Sequence, residues 1–540
     1  MAETFLDSIA QAYIENFEDI SEFCFVFPNK RSGTFFRRAL TRQLGSKVLL
    51  APEIISISDF VEKLSGLEAA SRIDLLFRLF NIYRHDKSLL PSKSKGDDLL
   101  EFDSFRSWGE ILLSDFSEVD QYAVDADALF ANVSDYREIA SNFLTDEQIE
   151  VLKRYFGYSP STADVERFWK SFSQGGGKSE IKERFMYLWQ AMAPLYNALN
   201  DTLEKEGLAT QGRVYLKALE NIRERGAELL PYKKIVFVGF NALSTTEALL
   251  FEALAKAGGY YEDEKDAYVD YYWDATGPVL ESEESDASLF LTLNKKNFPS
   301  PDWSRPWIDR NRVAIMPEMI KVIASPSNSA QTKIGAKCLE EIIGQVGEAD
   351  VQDAKVAVVL PDENLLLPLL YALPESLEKV NLTMGYSLRL TSVASFLHHL
   401  RGLHARGKMI GGELTFFHED VKLLLSHPFT HALLGSRNIA AMNTYMAKHH
   451  KFRVSLDEFR EHTGADDALP LDVAVFGKGT KGGVRYIDDV LMRIDASLAG
   501  SDGGVIKSRI DRSHIAVYRD ALRRLERSAS EHGVEMGLSG

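Results

Sequence analysis

The sequence predicts an α/β protein in which parallel sheets are interrupted by large all-helical insertions. Three observations carry that expectation. Short apolar runs at 23–27 and 235–238 end in turn residues and are followed by helical stripes. Residues 68–224 are almost wholly helical in pattern. Beyond a proline-rich stretch at 298–317, apolar run and helix alternate again.

Residues 3–17 have helical periodicity through Phe5, Ile9 and Tyr13, and Phe23 to Phe27 form a strand that Pro28 ends. A helix is expected from Thr34 to Leu44. Val48 to Leu50 read as the next strand, leading through Pro52 into ISISDFVEKL, where Ser58 or Asp59 caps another helix. The helical stretch shows stripes such as Ile73, Leu76, Phe77 and Phe80, then Phe185, Leu188, Trp189, Met192, Leu195 and Tyr196, as a bundle around its own core would. At 232–254, YKKIVFVGFNALSTTEALLFEAL gives a buried strand, a turn at Gly239, Phe240 and Asn241, and an amphipathic helix. Residues 258–289 are tyrosine-rich and crowded with acids, a solvated loop around one strand, YVDYYW.

Pro299, Pro301, Pro306 and Pro317 mark a domain boundary. After it come a strand at Ile320–Ala324, a helix from about Ala330 to Ile343, a strand at Val356–Leu360 and a helix over leucines 365–370. Residues 411–540 return to helices broken by glycine-rich turns, GKGTKGG and AGSDGG. The expected organisation is a first α/β domain in two parts, 1–67 and 225–317, around a helical insert, 68–224. A second, incomplete α/β domain, 318–410, carries its own helical insertion, 411–540.

At 540 residues, and about 150 residues per domain, three or four domains are expected. Hydrophobic residues at 45% and charged residues at 26% are ordinary globular values, which argues against long disorder. The net charge of -17 repels polyanions as a whole, so any nucleic-acid contact depends on local basic surface. Cys24 and Cys338 are too few for a disulfide framework and sit in apolar segments that read as core, which fits a reducing cytoplasm. The opening MAETFLDSIAQAYIENF lacks the makings of a signal peptide, and no apolar window approaches the ~18 residues of a spanning helix.

Most motif lookalikes fail on chemistry. GGGKS at 175–179 ends like a phosphate loop, but Phe172 stands where a glycine is required, and a helix, RFWKSF, precedes it where a strand should. GKGTKGG lacks the Lys-Ser/Thr ending and reads as a flexible turn. His427 and His431 have metal spacing, yet Pro428 interrupts them and no Glu follows the first His, so a loop-to-helix junction is expected. The pairs His398-His399 and His449-His450 are expected on opposite sides of a helix, as surface or packing residues. Asp362 and Asp420-Val421-Lys422 are too far apart, and the latter too helical, for a Mg²⁺-dependent nuclease centre. No catalytic, metal or cofactor residue is expected in this chain.

The basic segment at 29–47 is different. It holds Lys30, Arg31, Arg37, Arg38, Arg42 and Lys47 without an acid, placed after the first strand where a helix N-terminus can meet a phosphate backbone. Lys30, Arg31, Arg37 and Arg38 are the expected DNA contacts. The alternative is a solvated helix face whose arginines pair with the acidic remainder. A second basic stretch, 507–527, includes Arg509, Arg512, Arg519, Arg523, Arg524 and Arg527 on an amphipathic helix and fits partner binding equally well.

Several stretches together resemble the AddB/RexB-type subunits of bacterial helicase-nucleases, including single-chain versions known as PD-(D/E)XK nuclease proteins. They are FCFVFPNKRSGTFFRRAL with KVLLAPEIISISDF, FRSWGEILLSDFSEVDQY, IVFVGFNALSTTEALLFEAL, KVIASPSNSAQTKIGAKCLEEI, and KVAVVLPDENLLLPLLYALP with NLTMGYSL. They run in the family's order over residues 22 to about 390. The resemblance implies RecA-like, P-loop NTPase-type sheets with helical insertions, as in UvrD-like helicases, and work in DNA double-strand-break repair beside a UvrD/AddA-like motor subunit. It also implies DNA partners, as duplex ends or single strands, and no membrane.

In a working motor of that superfamily, the strand corresponding to 235–238 ends in an Asp-Glu pair that holds Mg²⁺ and polarises water. Here those positions are Gly239 and Phe240, and no Walker lysine lies near the first strand. The expectation is a degenerate, ATPase-dead helicase shape that grips DNA and scaffolds a partner. Two alternatives stand beside it. One is the N-terminal part of a metal-dependent exonuclease whose centre lies beyond residue 540, since the second motor-like domain is not closed by the residues present. The other is a pure protein-interaction scaffold.

Overall fold

Phe23–Phe27 forms the central strand β1, all five residues buried, because FCFVF has apolar side chains for both faces of a covered sheet. The computed structural model describes residues 4–45, 49–85, 101–130, 180–275, 280, 285–308, 320–347, 356–374, 376–377, 380–463, 479–499 and 505–536. For 180–190, 346, 479, 481 and 505–508 it describes the backbone alone. The chain divides into two units, 1–319 and 320–540.

In unit 1, β1 pairs in parallel with β2 (Glu53–Ser56) and with β5 (Lys234–Val238), and β6 (Val269–Tyr272) adds beside β5. The order is β2-β1-β5-β6. The α/β class with a parallel sheet is therefore observed. Alternate residues serve opposite faces. Phe25, Phe27, Val236, Val238 and Tyr272 meet Ile9 and Tyr13 of α1 (Phe5–Asn16) and Phe36 of α2 (Lys30–Leu44). Cys24, Val26, Ile235, Phe237 and Tyr271 meet Phe60 of α3 (Ile57–Ser65).

Of the expected strand at 48–50, Val48 lies outside the described residues and 49–50 carry no sheet pairing: β2 begins after Pro52, and Leu50 is 71% exposed. Proline cannot donate to a ladder, so pairing starts beyond it. Ser56, rather than Ser58 or Asp59, caps α3, its hydroxyl accepting from the Asp59 N–H.

The helical insert leaves the sheet through β3 (Glu68–Ala69) and returns through β4 (Leu208–Ala209), and these two short strands pair with each other in parallel. Between them lie α4 (Arg72–His85), α5 (Phe102–Gln121), α6 (Ala126–Phe130) and α7 (Glu180–Glu204). Their aromatic contacts include Phe80 on Phe105 and Phe116 on Tyr196. The phosphate-loop lookalike GGGKS and the helix RFWKSF fall outside the described residues.

The next helix, α8 (Gln211–Arg225), packs through Val214, Ala218, Leu219 and Ile222 into the core of the sheet. The sheet's own layer thus resumes at 211, ahead of 225. After β5, α9 (Thr245–Ala257) covers the same face, and after β6 come α10 (Leu289–Asn297) and the single turn α11 (Arg305–Ile308).

Unit 2 departs further from expectation. Residues 320–324 and 356–360, read as strands, carry no sheet pairing, and Val322 and Val359 are 90% and 80% exposed. β-branched residues supply propensity, but a strand also needs a neighbour to take its N–H and C=O groups. The expected helices are present as α12 (Asn328–Val346) and α13 (Leu366–Ala372).

Beyond them, α14 (Ser392–Ala405) leads into an antiparallel sheet, β7-β8-β9, of Lys408–Ile410, Glu413–Phe417 and Arg453–Ser455. That sheet corrects the all-helical expectation for 411–540. Gly411 and Gly412, both at positive φ, make its two-residue hairpin turn. The helices are α15 (His418–Ser426), α16 (Pro428–Lys448, broken at Gly435), α17 (Leu456–Thr463), α18 (Gly479–Ala499) and α19 (Val505–Glu531). α18 begins inside GKGTKGG, so the latter half of that expected turn is helical. No described helix is long and apolar enough to cross a membrane.

Candidate nucleic-acid interface

The strand order of unit 1 sets the site. The chain leaves β1 toward β2 on one side and returns to β5 on the other, so the topology switches between β1 and β5. Open parallel sheets bind ligands at the carboxyl ends of their strands at such a switch. Two segments border it here, Pro28–Asn29 after β1 and Gly239–Ser244 after β5.

On the β1 side the Asn29 side chain accepts from the Ser32 N–H at 2.9 Å and starts α2. Gly33 lets that first turn lie on the sheet, since a Cβ there would stand 3.0 Å from the Ile54 side chain. Lys30 and Arg31 are exposed at this helix N-terminus, where the backbone dipole also favours anions. Lys30 Nζ reaches Asp59 in the first turn of α3 at 3.0 Å.

On the β5 side Gly239 takes φ +73, and its N–H donates to the Tyr272 carbonyl at 2.9 Å. Phe240 turns inward, 5% exposed, against the rings of Phe237 and Phe251. Ser244 and Glu247 form a reciprocal capping box on α9, with the Ser244 N–H donating to the Glu247 carboxylate at 2.8 Å. Burial pushes the Glu247 carboxyl up, against the pull of its Ser244 hydrogen bonds. The edge therefore has a left-handed glycine, an apolar ring and a capping acid where hydrolysis needs free carboxylates. Among the described residues no group of three or more His, Cys, Asp or Glu could hold a metal ion.

The four expected DNA contacts do not form one cluster. Arg37 and Arg38 lie seven residues beyond Lys30 and Arg31, about 10 Å along α2. Arg37 Nη2 donates to the Ile54 carbonyl of edge strand β2 at 2.9 Å, and Arg38 stands over the Phe35 ring. Arg42, further on, pairs with Asp7 at 2.7 Å. Lys30 and Arg31 are thus at the crevice, while Arg37 is committed to the sheet. Sequence reasoning missed both the Lys30–Asp59 link and the Arg37 contact, because each joins segments whose adjacency only the sheet creates.

In unit 2 the basic stretch of α19 is partly neutralised. Arg512 pairs with Asp495, Arg519 with Asp488, and Arg524 with Asp520. Arg509, Arg523 and Arg527 are exposed with no ion-pair partner among the described residues. The charge is unevenly shared: residues 1–319 carry 36 Lys and Arg against 52 Asp and Glu, or -16, and residues 320–540 carry 26 against 27, or -1.

The rejected motifs have ordinary roles. His427 caps α16, its ring accepting from the Phe429 N–H, and Pro428 occupies the first helical position. Asp362 accepts from the Asn364 N–H in a short turn, and Asp420 is held by Arg406. His398 and His399 are not on opposite sides, since consecutive helical residues are only about 100° apart. Both border one cavity. Cys24 is buried, and burial pushes its thiol up to about 12, so it is inert packing, whereas Cys338 is only half-buried.

No protein-family model matches this chain, and no curated protein matches it.

Proposed function

We propose that this chain is a helicase-shaped, ATPase-dead DNA-processing subunit of the AddB type, built on a RecA-like sheet, which holds DNA while a motor partner supplies translocation. The observation that carries the reading is the switch-point crevice. It retains the layout of a nucleotide site, strand then loop then helix N-terminus, but presents Gly239 and Phe240 at one strand end and Asn29, Lys30 and Arg31 at the other. Such an edge can bind phosphate without being able to activate water. DNA in double-strand-break repair is the substrate class, as duplex ends or single strands, and a UvrD/AddA-like subunit in the cytoplasm is the expected partner.

The test is fluorescence anisotropy with blunt duplex and single-stranded oligonucleotides across about 50 to 200 mM salt, beside an ATP turnover assay. Binding that weakens steeply with salt, without turnover, is expected. Hydrolysis of ATP by the purified chain overturns the reading.

A protein-interaction scaffold is the second reading, favoured by the -16 charge of residues 1–319. It predicts no DNA binding at about 50 mM salt, where phosphate contacts are strongest.

A further inference from the structure

A cavity of about 310 Å³ opens between α14 and α15. One wall is the stripe His398, Arg401, Gly402 and Ala405, spaced i, i+3, i+4 and i+7 on one face of α14. The two small residues leave the hollow. A Cβ at Gly402 would stand 3.2 Å from Arg406 Nη2, so the bare glycine lets that guanidinium lie back along the helix. Arg406 then grips Asp420 in bidentate fashion, with Nε donating to Oδ2 at 2.8 Å and Nη2 to Oδ1.

The Asp420 side chain is 4% exposed and is, among the described residues, the only carboxylate lining the cavity. Its charge is matched by Arg406. What remains is cationic or able to become so: Arg401, exposed and without an ion-pair partner among the described residues, and the imidazoles of His398 and His399, whose centroids are 5.9 Å apart.

We propose that this cavity binds a phosphoryl group, presented as a phosphomonoester whose organic body fills the remaining volume. A guanidinium fork and two imidazoles offer donors from several directions, which suits a tetrahedral dianion better than a planar carboxylate. The volume sits at the lower end of the ~300–1,000 Å³ range of small-ligand sites and exceeds the needs of a bare anion. Nothing in this assignment depends on the DNA reading of unit 1.

Arg453 of β9 stands against Arg406, its Nη2 donating to the Arg406 carbonyl at 3.0 Å. Glu419 acts on Arg406 from α15, and His427, the cap of α16, has its ring 6.2 Å from that of His399. Burial, and then the neighbouring His398, hold His399 below the usual histidine range. A dianion opposes both effects, so binding takes up protons and tightens as the pH falls toward 6.

Calorimetry and phosphorus NMR on the full chain decide the matter, with inorganic phosphate, adenosine 5′-monophosphate and adenosine at pH 6 and pH 8. The two phosphates are expected to bind, more tightly at pH 6, and adenosine is not. Arg401→Ala should weaken binding at least about tenfold, Arg401→Lys less, and His399→Gln should flatten the pH dependence. An unchanged melting curve shows that these substitutions leave the fold intact. No phosphate binding at millimolar concentration and pH 6, or equal binding by Arg401→Ala, overturns the assignment. Oligonucleotides with and without a 5′-phosphate separate the sources. A phosphorylated end that binds more tightly than the mononucleotide assigns a strand end, the reverse assigns a small metabolite, and indifference to the phosphate overturns the monoester.

Discussion

Lys30 Nζ stands 3.0 Å from Asp59 Oδ1, tying the amino end of α2 to that of α3 across the carboxyl edge of the sheet. The pair is solvent-accessible, so its own stabilisation is small, but it sets the free charge offered to a phosphate. Asp59→Asn should therefore raise DNA affinity at low salt.

Neutralising Lys30 and Arg31 together should reduce the slope of log affinity against log salt by roughly 2. Arg37→Ala should mainly lower the melting temperature, because its guanidinium serves the Ile54 carbonyl. Anisotropy titrations at several salt concentrations check the first two, and a thermal melt checks the third. An unchanged slope in the quadruple Lys30/Arg31/Arg37/Arg38 alanine variant removes the interface from α2.

Asp120 makes stability depend on pH. Its carboxyl is fully buried where α5 meets α7, takes the Tyr196 hydroxyl as donor, and has no hydrogen-bond partner for Oδ2 among the described residues. Burial raises its pKa to about 6 despite the Tyr196 hydrogen bond and nearby Arg213, whereas an unfolded chain titrates near ~3.9. Between these values the folded state holds a proton the unfolded state has lost. The stabilisation is thus complete below about pH 4 and disappears as the pH rises through about 6, a loss on the order of 2–3 kcal/mol. Asp120→Asn should abolish this component. Denaturant titrations of both proteins from pH 4 to 8 measure the difference.

Lys234 and Asp270 form an ion pair at 2.9 Å with side chains 3% and 1% exposed, and the Tyr13 hydroxyl donates to the same carboxylate at 2.5 Å. Lys234→Met leaves the carboxylate without its cation and should cost about 3–5 kcal/mol. Lys234→Met with Asp270→Asn keeps an acceptor for Tyr13 and should recover most of that loss. A double variant as unstable as the single one would show that Lys234 acts through its packing and its bond to the Ala267 carbonyl and not through the charge pair.

The unpaired segments of unit 2 make a kinetic prediction. Amides of 320–324 and 356–360 lack ladder partners, whereas those of β1 and β5 are paired and buried. Hydrogen exchange followed by mass spectrometry should label the former within seconds and the latter only through global opening. Val322→Thr with Val359→Thr should lower binding of a hydrophobic dye, since both valines are largely exposed.

In unit 1 β1 and β5 were legible because FCFVF and IVFV offer apolar side chains to both faces of the sheet. Position failed where a neighbour decided it. Val48–Leu50 has strand propensity, but Pro52 and the register with β1 moved the pairing to Glu53–Ser56. The β7-β8 hairpin left a readable sign in Gly411-Gly412, two turn residues between short runs, which the helical stretches around it masked. At the candidate site the lack of an acid at Gly239 and Phe240 was visible in sequence. That Arg37 serves a backbone carbonyl was not, because side-chain reach follows from packing.

The pairing of β3 with β4 fastens the two ends of the insert to each other. Two residues entering, Glu68 and Ala69, are fastened to two leaving, Leu208 and Ala209, so the sheet is insulated from the length of the detour between them. Closure entropy grows only logarithmically with loop size, so the excursion can lengthen, shorten or be exchanged at little thermodynamic expense. The freedom stops at α5, where Ser117 accepts from the Gly212 N–H of α8 and the Asp120 and Gln121 carbonyls accept from the Thr246 hydroxyl of α9, so any substitute must keep that helix seated.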